Sequence, residues 1–502
     1  MTLLHRSFMT ALIVIFMVFA LQVNGAVQTK LPDTAAGKKL AQLLAVIESG
    51  DIQKMRKFAE DFSKSFLDQF SIEDHVDFFK QAYDRYGGFE VVRVEELSDY
   101  EIAALLKCKN SAGYRQIELI TESKSPYAVK DMSYGMAEPP GKEEPSDIKA
   151  LSPPTASEAA DPNAVIKGKL GMEIDMYLLG KIKEGFSGTV LVAKKGEKVL
   201  HKGYGWAVRE QRIPIITQTV FDIGSISKPF TATVIMRLEQ QGKLEVKNPI
   251  TKFFDNVPED KKGITIHHLL THSSGLGDYH DTKGDFEKMT RDEALQHIFN
   301  QELKFIPGEK NAYSNSGYTL LAIIAEKVSG RSFKEYLKQE IFDPVGMSST
   351  GFYRNPAWKE KNVAHGYEAR KFGKQNSPLT WPEITWALLG NGGMVSTAED
   401  LYKFHLAMKG NKILSRKAKK KSYTMHVNEG DGYWMGYGWG IRKTDRNTKI
   451  VSHGGANDFG FLAYFVRYLD EDVVIIITSN SGRRAKVREL YSKITSIIFN
   501  NK

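Results

Sequence analysis

The sequence predicts an α+β protein with two domains, and three patterns support this prediction. Residues 136–165 contain six of the 17 prolines and no aromatic residue, which is typical of an extended linker. Before this stretch, helical periodicity is followed by strand patterns. After it, strand patterns occur near both ends of a long segment whose middle is helical. Residues 166–502 are therefore expected to form one antiparallel sheet built from both ends of the segment, flanked by helices and carrying a helical insert.

The first 25 residues have the layout of a secretory signal peptide. A basic start precedes an apolar run from Met9 to Val23, and small residues follow at Gly25 and Ala26. This run is about 15 residues long, whereas a helix that crosses a bilayer needs about 20. We therefore expect cleavage after Gly25 or Ala26 and an exported protein, periplasmic or extracellular, with no integral membrane span. An uncleaved anchor helix is the alternative.

Residues 26–135 predict a small α+β domain. Leu40, Leu43 and Ile47 recur with helical spacing, and Gly87-Gly88 ends a further predicted helix. Strand patterns follow over residues 89–94, 101–107, 114–121 and 128–132. No nucleophile, acid pair or ligand cluster stands out in this region, so we interpret it as a binding or spacer domain.

The larger segment, residues 166–502, begins with a predicted hairpin over residues 188–206, turning at Lys195-Gly196. Helical patterns dominate its middle. Strand patterns return over residues 437–442, 449–453, 460–468 and 473–479, before a last helix over residues 486–499. Both ends of the segment thus contribute strands, as a single antiparallel sheet requires.

Charge and cysteine content exclude several classes of function. Residues 26–135 carry 15 basic and 18 acidic side chains, whereas residues 166–502 carry 51 and 36, a net charge of +15. The single cysteine, Cys108, excludes an intrachain disulfide and a cysteine-rich zinc site. The basic run Arg416–Lys421 is better explained as a solvated helix face than as a nucleic-acid site, because the protein is expected to be exported. No nucleic-acid partner is therefore expected.

The first catalytic candidate is Ser225, in the sequence Phe-Asp-Ile-Gly-Ser-Ile-Ser-Lys of residues 221–228. A helical pattern begins at Ser225, so Lys228 lies one turn further along on the same face. A serine hydroxyl is a weak nucleophile that needs a base within hydrogen-bond distance. Lys228 can be this base if burial lowers its pKa, and the positive helix terminus favours the forming alkoxide. The spacing alone is weakly specific, because Ser146 and Lys149 repeat it.

Tyr313 and Asn315 form the second candidate, on a turn-rich loop that leads into a helix predicted over residues 317–328. A tyrosinate can take or give a proton, and an asparagine amide can orient a substrate carbonyl. Tyr353 and Asn355 have the same spacing, so this pair is also weakly specific by itself.

The third candidate is the segment from Ser452 to Ala456, which follows a predicted strand. Its paired glycines, Gly454 and Gly455, allow a ligand to approach the backbone closely. An exposed amide here, together with the amide of Ser225, would form an oxyanion hole with two donors.

Taken together and in this order, the three segments resemble the serine β-lactamase and penicillin-binding superfamily, in particular its class C β-lactamase-related branch of esterases, D-aminopeptidases and DD-peptidases. The resemblance covers about residues 175–500. Its supporting segments are Leu269-Leu-Thr-His-Ser-Ser-Gly-Leu276, Gly390-Asn-Gly-Gly-Met-Val-Ser-Thr-Ala-Glu-Asp400 and Gly436-Tyr-Gly-Trp-Gly440.

The resemblance implies a β-lactamase/transpeptidase-like fold and an acyl-serine mechanism without a metal or cofactor. In this mechanism Ser225 attacks the substrate, and Lys228 and Tyr313 move protons. Asn315 binds the substrate amide, and the backbone amides of Ser225 and Ala456 hold the oxyanion.

The third segment departs from the pattern of the family. Penicillin-recognising members usually have Lys-Thr-Gly at this place, whereas this chain has His453, Gly454 and Gly455. The difference puts binding of a β-lactam or peptide carboxylate in question. We therefore predict an exported serine hydrolase whose substrate is a small-molecule ester or a peptide, cell-wall peptides included. The alternatives are a peptidoglycan DD-peptidase or D-amino-acid peptidase, and a catalytically silent protein that binds cell-wall peptides. The oligomeric state is left open.

His267, His268 and His272 are close enough in sequence to suggest a metal cluster. However, the chain lacks a His-Glu-x-x-His motif, and His272 lies inside one of the supporting segments. A structural role for His272 and the absence of a metal site are therefore the expectation.

Overall fold

A computed structural model describes residues 30–67, 71–111, 113–137, 154–155, 160–278, 280, 282, 284–355, 358, 362–367, 376–430, 432–457, 459–482 and 484–500. The predicted signal peptide, most of the predicted linker and the Ser146–Lys149 repeat of the nucleophile spacing lie outside the described residues. The chain divides into two units, Met1–Leu151 and Ser152–Lys502.

The first unit places helices before an antiparallel meander. Its helices are α1 (Ala35–Ser49), α2 (Ile52–Glu60), α3 (Lys64–Leu67) and α4 (Ile72–Tyr86). Its strands β1 (Phe89–Ser98), β2 (Glu101–Cys108), β3 (Tyr114–Thr121) and β4 (Val129–Ala137) pair in sequence order. The side chain of Thr34 caps α1, and Gly50 ends it with a φ of 63°. Leu40, Leu43 and Phe79 are fully buried between helices and sheet.

The second unit is built on a nine-stranded antiparallel sheet. Its strands are β5 (Val165–Ile166), β6 (Gly188–Lys194), β7 (Glu197–Tyr204), β13 (Val427–Gly430), β14 (Tyr433–Met435), β15 (Gly440–Lys443), β16 (Lys449–Ala456), β17 (Leu462–Tyr468) and β18 (Val473–Ser479). They pair in the order β13-β14-β15-β16-β17-β18-β6-β7-β5. The two ends of the unit meet where Ile476 of β18 pairs with Leu191 of β6. This pairing confirms the predicted α+β class and its sheet built from both ends.

Helices cover the two faces of this sheet. The helices of the unit are α5 (Gly168–Lys183), α6 (Ser227–Gln240), α7 (Ile266–Leu270), α8 (Arg291–Asn300), α9 (Asn315–Ser329), α10 (Phe333–Leu337), α11 (Asp343–Val345), α12 (Ala398–Lys409), α13 (Arg416–Ser422) and α14 (Arg484–Asn500). On one face Phe404 of α12 stacks on Phe230 of α6 and contacts Phe465 of β17. On the other face, the Tyr468 hydroxyl of β17 contacts the Tyr491 hydroxyl of α14. Phe465 and Tyr468 belong to the same strand but point to opposite faces, because side chains alternate along a strand.

Short strands complete the second unit outside the main sheet. They are β8 (Trp206–Val208), β9 (Ile213–Pro214), β10 (Phe221–Asp222), β11 (Gly351–Phe352) and β12 (Met394–Ser396). Strand β12 lies between β10 and β11. Through β10, strand β12 is thus hydrogen-bonded to the segment that directly precedes Ser225.

Several predicted boundaries differ from the structure. The helix predicted from Ser225 begins at Ser227, because Gly224, with a φ of 50°, and the next two residues form a 3₁₀ turn. The strand predicted over residues 437–442 is Gly440–Lys443, because Gly438 has a φ of 74° and makes a turn. Strands β13 and β14 were not predicted, and β16 continues beyond residue 453 to Ala456. Strand β4 reaches Ala137 and β5 begins at Val165, two ends that the sequence places in the linker.

None of the helices in the described ranges is long and apolar enough to cross a membrane.

Candidate active site

Ser225 lies in the 3₁₀ turn Gly224–Ile226, directly before α6. The buried carboxylate of Asp222 holds this turn: it accepts the Gly224 amide at 2.8 Å and the Tyr353 hydroxyl at 2.7 Å. Burial raises the pKa of Asp222 to about 7. Tyr353, which the sequence shows as part of a second Tyr-x-Asn triplet, is therefore a buried support of the turn. Ser225 itself is partly exposed.

Lys228 is fully buried beside Ser225. Its Nζ lies 3.1 Å from Ser225 Oγ, 2.6 Å from Asn315 Oδ1 and 2.7 Å from the carbonyl oxygen of Asn391. Burial lowers the pKa of Lys228 to about 7, while the charges of Asp278 and Asp285 act to raise it. A large share of Lys228 is therefore neutral near pH 7, and a neutral amine can accept the proton of Ser225.

Asn315 links Lys228 to Asp278. While its Oδ1 accepts from Lys228, its Nδ2 donates to Asp278 Oδ1 at 3.0 Å, and its backbone amide donates to the Asp278 carbonyl at 2.8 Å. One N–H of the Asn315 amide is thus used by the protein, and one is left to meet a substrate. Burial raises the pKa of Asp278, and the charge of Lys228 opposes this effect.

Asp278 and Asn391 are site residues that the sequence analysis did not identify. Asp278 follows the supporting segment Leu269–Leu276 by two residues, and Asn391 lies inside the segment Gly390–Asp400. Their proximity to two motifs of the family resemblance was the only available signal. Neither motif shows by itself which of its polar residues contacts the lysine.

Tyr313 forms one wall of the site. Lys228 Nζ lies 4.7 Å from the centre of the Tyr313 ring, and the ring stacks on His272 at 4.5 Å. His272 has a φ of 57°, and its Nδ1 accepts the backbone amide of Ser314 at 3.1 Å. His272 therefore seats the loop that carries Tyr313. With 39% of its surface exposed, Tyr313 also faces solvent, where a substrate would arrive.

The end of strand β16 packs directly against the 3₁₀ turn that carries Ser225, and two glycines permit this. A Cβ on Gly455 would lie 1.9 Å from the Ile223 carbonyl oxygen, and a Cβ on Gly224 would lie 2.7 Å from the Ala456 nitrogen. The amide of Ser225 lies in a first helical turn, where amides have no intrahelical acceptor.

The Ala456 amide lies beside the turn that carries Ser225, where a Cβ on Gly224 would come within 2.7 Å of its nitrogen. The next residue, Asn457, donates to Phe461 of the neighbouring chain segment, so by strand alternation the Ala456 N–H points away from β17. Strand β15 pairs with β16 only as far as Ser452. The Ala456 amide is therefore close to Ser225, and its pairing with the Ser225 amide as an oxyanion hole stays a prediction.

His453 is buried on the face of β16 that carries Gly455. Its Nδ1 lies 2.7 Å from the Gly454 carbonyl oxygen, so Nδ1 carries the proton and Nε2 has a free lone pair. Burial and the charge of Lys228 lower the pKa of His453 to about 3. The side chain is therefore neutral at physiological pH, and it does not supply the positive charge that a lysine would.

The remaining sequence candidates lie in other environments. His267 contacts the Tyr437 hydroxyl at 2.9 Å, and His268 caps α7 by accepting the Thr265 amide. Across the parts of the chain that the structure describes, no three His, Cys, Asp or Glu side chains are arranged to hold a metal ion. The basic run forms helix α13, where Lys421 pairs with Glu239 at 2.9 Å.

The family model described as Beta-lactamase matches residues 179–494. A penicillin-binding protein of Bacillus subtilis (strain 168) is 32% identical over 313 residues, which are 59% of this chain and 69% of that protein. The teichoic acid D-alanine hydrolase of Staphylococcus aureus is 27% identical, over 64% of this chain and 77% of its own. The crystal structure of a penicillin-binding protein from Bacillus halodurans superposes with a TM-score of 0.57 and 28% identity, covering 66% of this chain and all of that one.

Proposed function

This chain belongs to the beta-lactamase family and is a serine hydrolase, and we propose that it cleaves ester or amide bonds through an acyl-enzyme formed on Ser225. One observation carries the proposal: Ser225 Oγ lies 3.1 Å from the amine of a fully buried lysine, Lys228. Burial keeps a large share of this amine neutral near pH 7, as a general base must be.

In the proposed reaction, neutral Lys228 takes the proton of Ser225 as its Oγ attacks the substrate carbonyl. The tetrahedral oxyanion is held by the backbone amides of Ser225 and Ala456. The bond to the leaving group then breaks, and the leaving oxygen or nitrogen receives a proton from Lys228 or Tyr313. Water attacks the acyl-serine in the second half of the reaction, which releases the acid and restores Ser225.

A neutral His453 favours substrates without a carboxylate at the position that Lys-Thr-Gly enzymes recognise. Among the relatives, one is named for the removal of D-alanine from teichoic acid. Hydrolysis of D-alanyl esters or D-amino-acid amides is therefore a second, narrower candidate function. The signal-peptide pattern supports export, so we propose that the substrate is met in the periplasm or outside the cell.

Covalent labelling tests the general proposal. We expect a fluorophosphonate probe to label the full-length protein, and peptide mass spectrometry to locate the adduct on Ser225. A penicillin-binding peptidase would also take a fluorescent penicillin, whereas a silent binding protein would take neither probe covalently. An adduct on any other serine, or no adduct at all, would contradict the proposal.

Replacing His453 by lysine is expected to change the substrate preference. A lysine here would offer an ammonium group to a substrate carboxylate, a charged hydrogen bond of about 1.5–3 kcal/mol. Each 1.4 kcal/mol corresponds to a factor of ten in affinity. We therefore expect the wild type to bind carboxylate-bearing substrates about ten- to a hundredfold more weakly than a protein with lysine at this position. We expect the wild type to hydrolyse p-nitrophenyl acetate efficiently and nitrocefin slowly. In His453→Lys the difference in catalytic efficiency between these two substrates should be smaller. Efficient nitrocefin hydrolysis by the wild type would show that the histidine does not set this preference.

A further inference from the structure

Helix α5 of the second unit has two apolar faces, and the fold buries only one of them. Ile174 and Leu178 are fully buried where the helix packs on strand β7. Met172, Met176 and Leu179 lie on the other side, with 54%, 68% and 45% of their surfaces exposed. Their spacing of four and three residues places them in one line along the helix. These three side chains, which we call the α5 stripe, therefore contribute little to holding the unit together.

Exposed large apolar side chains are concentrated around this stripe. In the described part of the second unit seven such side chains are exposed, and the α5 stripe together with Ile166 makes up four of them. Ile166 ends strand β5, an edge strand of the main sheet that directly precedes the helix. Single exposed apolar residues are common on soluble proteins, whereas a group of them marks a surface that contacts something else. The stripe is therefore a candidate docking surface.

A lysine lies at each end of the stripe. Lys169 and Lys183 fall on the same helix face, seven residues before and seven after Met176, and both are exposed. None of the ion pairs formed between described residues includes either of them. The neighbouring Lys181, by contrast, pairs with Glu489 of α14 at 2.5 Å. The fold thus leaves two cations of α5 in position to meet an external anion.

The acidic residues of α5 do not turn the stripe into a neutral surface. Asp175 is buried and pairs with Lys202 at 2.9 Å, and Glu173 is half-buried at the margin of the stripe. The residues of the larger segment, 166–502, carry a net charge of +15, which adds a general attraction to anionic surfaces. The stripe therefore combines an apolar centre with two positive ends.

The two lysines disfavour a second copy of the chain as the occupant. Copies related by a two-fold axis would present the same stripe to each other. With the helices antiparallel and centred on Met176, Lys169 of one copy would lie opposite Lys183 of the other. With the helices parallel, each lysine would lie opposite its own counterpart. Both arrangements bring like charges together at the ends of a short apolar contact, whereas an anionic surface attracts both lysines.

We propose that the α5 stripe docks on an anionic lipid surface, with its apolar side chains inserted at the level of the acyl chains and its two lysines at the level of the phosphates. A helix that lies in the plane of a membrane has this layout, because lysine stems reach up to the headgroups while apolar side chains point down. The proposed export takes the chain across a membrane and so brings it to a lipid surface. Docking goes beyond the proposed reaction at Ser225 and does not depend on it.

Docking through α5 leaves the active site uncovered. The ion pair between Lys181 and Glu489 joins α5 to α14, and α14 lies on the sheet face opposite to that of α6. Helix α6 begins two residues after Ser225 and carries Lys228. We therefore expect the docked protein to hydrolyse p-nitrophenyl acetate as the free protein does. Loss of turnover on docking would overturn this orientation.

A fluorescent label on the stripe tests the docking. The full chain has one cysteine, Cys108, which is buried, so a thiol-reactive nitrobenzoxadiazole reagent labels the cysteine introduced by Met176→Cys. Leu406→Cys is the matched control, because Leu406 is 40% exposed on α12, a helix of the opposite sheet face. Vesicles contain equal amounts of phosphatidylcholine and phosphatidylglycerol. We expect them to brighten the label at position 176 and shift its emission to shorter wavelength, and to leave the label at position 406 unchanged.

The contribution of the lysines is measured in the labelled Met176→Cys protein. Combining Lys169→Gln with Lys183→Gln should raise the lipid concentration needed for half of the fluorescence change about tenfold, because each lysine near an anionic surface adds to the binding free energy. Lys417→Gln with Lys420→Gln removes the same charge from exposed positions of α13 and should leave that concentration unchanged. An equal shift in both double variants would show a general charge effect and would overturn the role of the two α5 lysines.

Other results would overturn lipid docking itself. They are a label at position 176 that does not respond, equal responses at positions 176 and 406, and an equal response to vesicles of phosphatidylcholine alone. Short-wavelength emission in buffer would also overturn it: a second copy covers the stripe if this emission depends on protein concentration, and another part of the chain covers it if not. A thermal melt shows that each variant is folded. A folded protein that responds to vesicles but hydrolyses no ester would contradict the proposed function and leave the docking in place.

Discussion

Ser225→Ala is expected to abolish ester turnover, with a loss in kcat of at least about 10⁴-fold. The hydroxyl is the only group at the Lys228 amine that can form the acyl intermediate in the proposed mechanism, and alanine leaves no nucleophile in its place. The fold should be unchanged, because Ser225 is partly exposed and its turn is held by Asp222 through the Gly224 amide. Release of p-nitrophenol from p-nitrophenyl acetate and a thermal melt of the same sample measure both effects.

Ser146→Ala is the control for this variant, because Ser146 and Lys149 repeat the same spacing in the linker. Its turnover should equal that of the wild type. If Ser225→Ala kept an activity within tenfold of the wild type, or if Ser146→Ala lost turnover, Ser225 would not be the nucleophile.

Lys228→Met is expected to lower kcat/KM by about 10²–10⁴-fold, which is the range that loss of a general base produces. Methionine keeps the unbranched shape of the buried stem, but it leaves the Asn315 and Asn391 oxygens without a donor. A loss of roughly 1–3 kcal/mol in stability for each unpaired group is therefore expected as well. Activity is measured at a temperature well below the melting point of the variant, so that the kinetic effect is separated from unfolding.

The pH dependence of the wild type gives an independent measure of Lys228. Only its neutral form can take the proton of Ser225, so kcat/KM should rise with pH through an apparent pKa of about 7 and level off above it. Asp278→Asn is the matched variant: it retains an oxygen for the Asn315 amide and removes the negative charge that raises the pKa of Lys228. The rising limb should therefore move to lower pH. If the rising limb moved to higher pH in Asp278→Asn, or if it persisted in Lys228→Met, a group other than Lys228 would be responsible for it.

The sequence by itself predicted the α+β class and most of the sheet. Local signals are sufficient for this, because strand alternation and turn residues are properties of neighbouring positions. Strand β18 has the bounds that its apolar run predicts, and the Lys195-Gly196 turn has the positive φ values, 54° and 79°, that a tight hairpin turn requires. The three-residue spacing from Ser225 to Lys228 likewise predicted that the two side chains lie together, even though the turn proved to be 3₁₀ rather than α-helical.

The electrostatic state of the site depends on contacts between residues that are far apart in the sequence. The Lys228 amine contacts Asn391 across 163 positions of sequence and Asn315 across 87, and Asn315 brings in Asp278. The pKa of Lys228 depends on burial and on the charges of Asp278 and Asp285, and local periodicity encodes neither. The neutral state of His453 has the same origin, because burial and the charge of Lys228 lower its pKa. Sequence patterns report which side chains a local element presents, whereas the chemistry of a buried group is set by partners that only the packed chain brings to it.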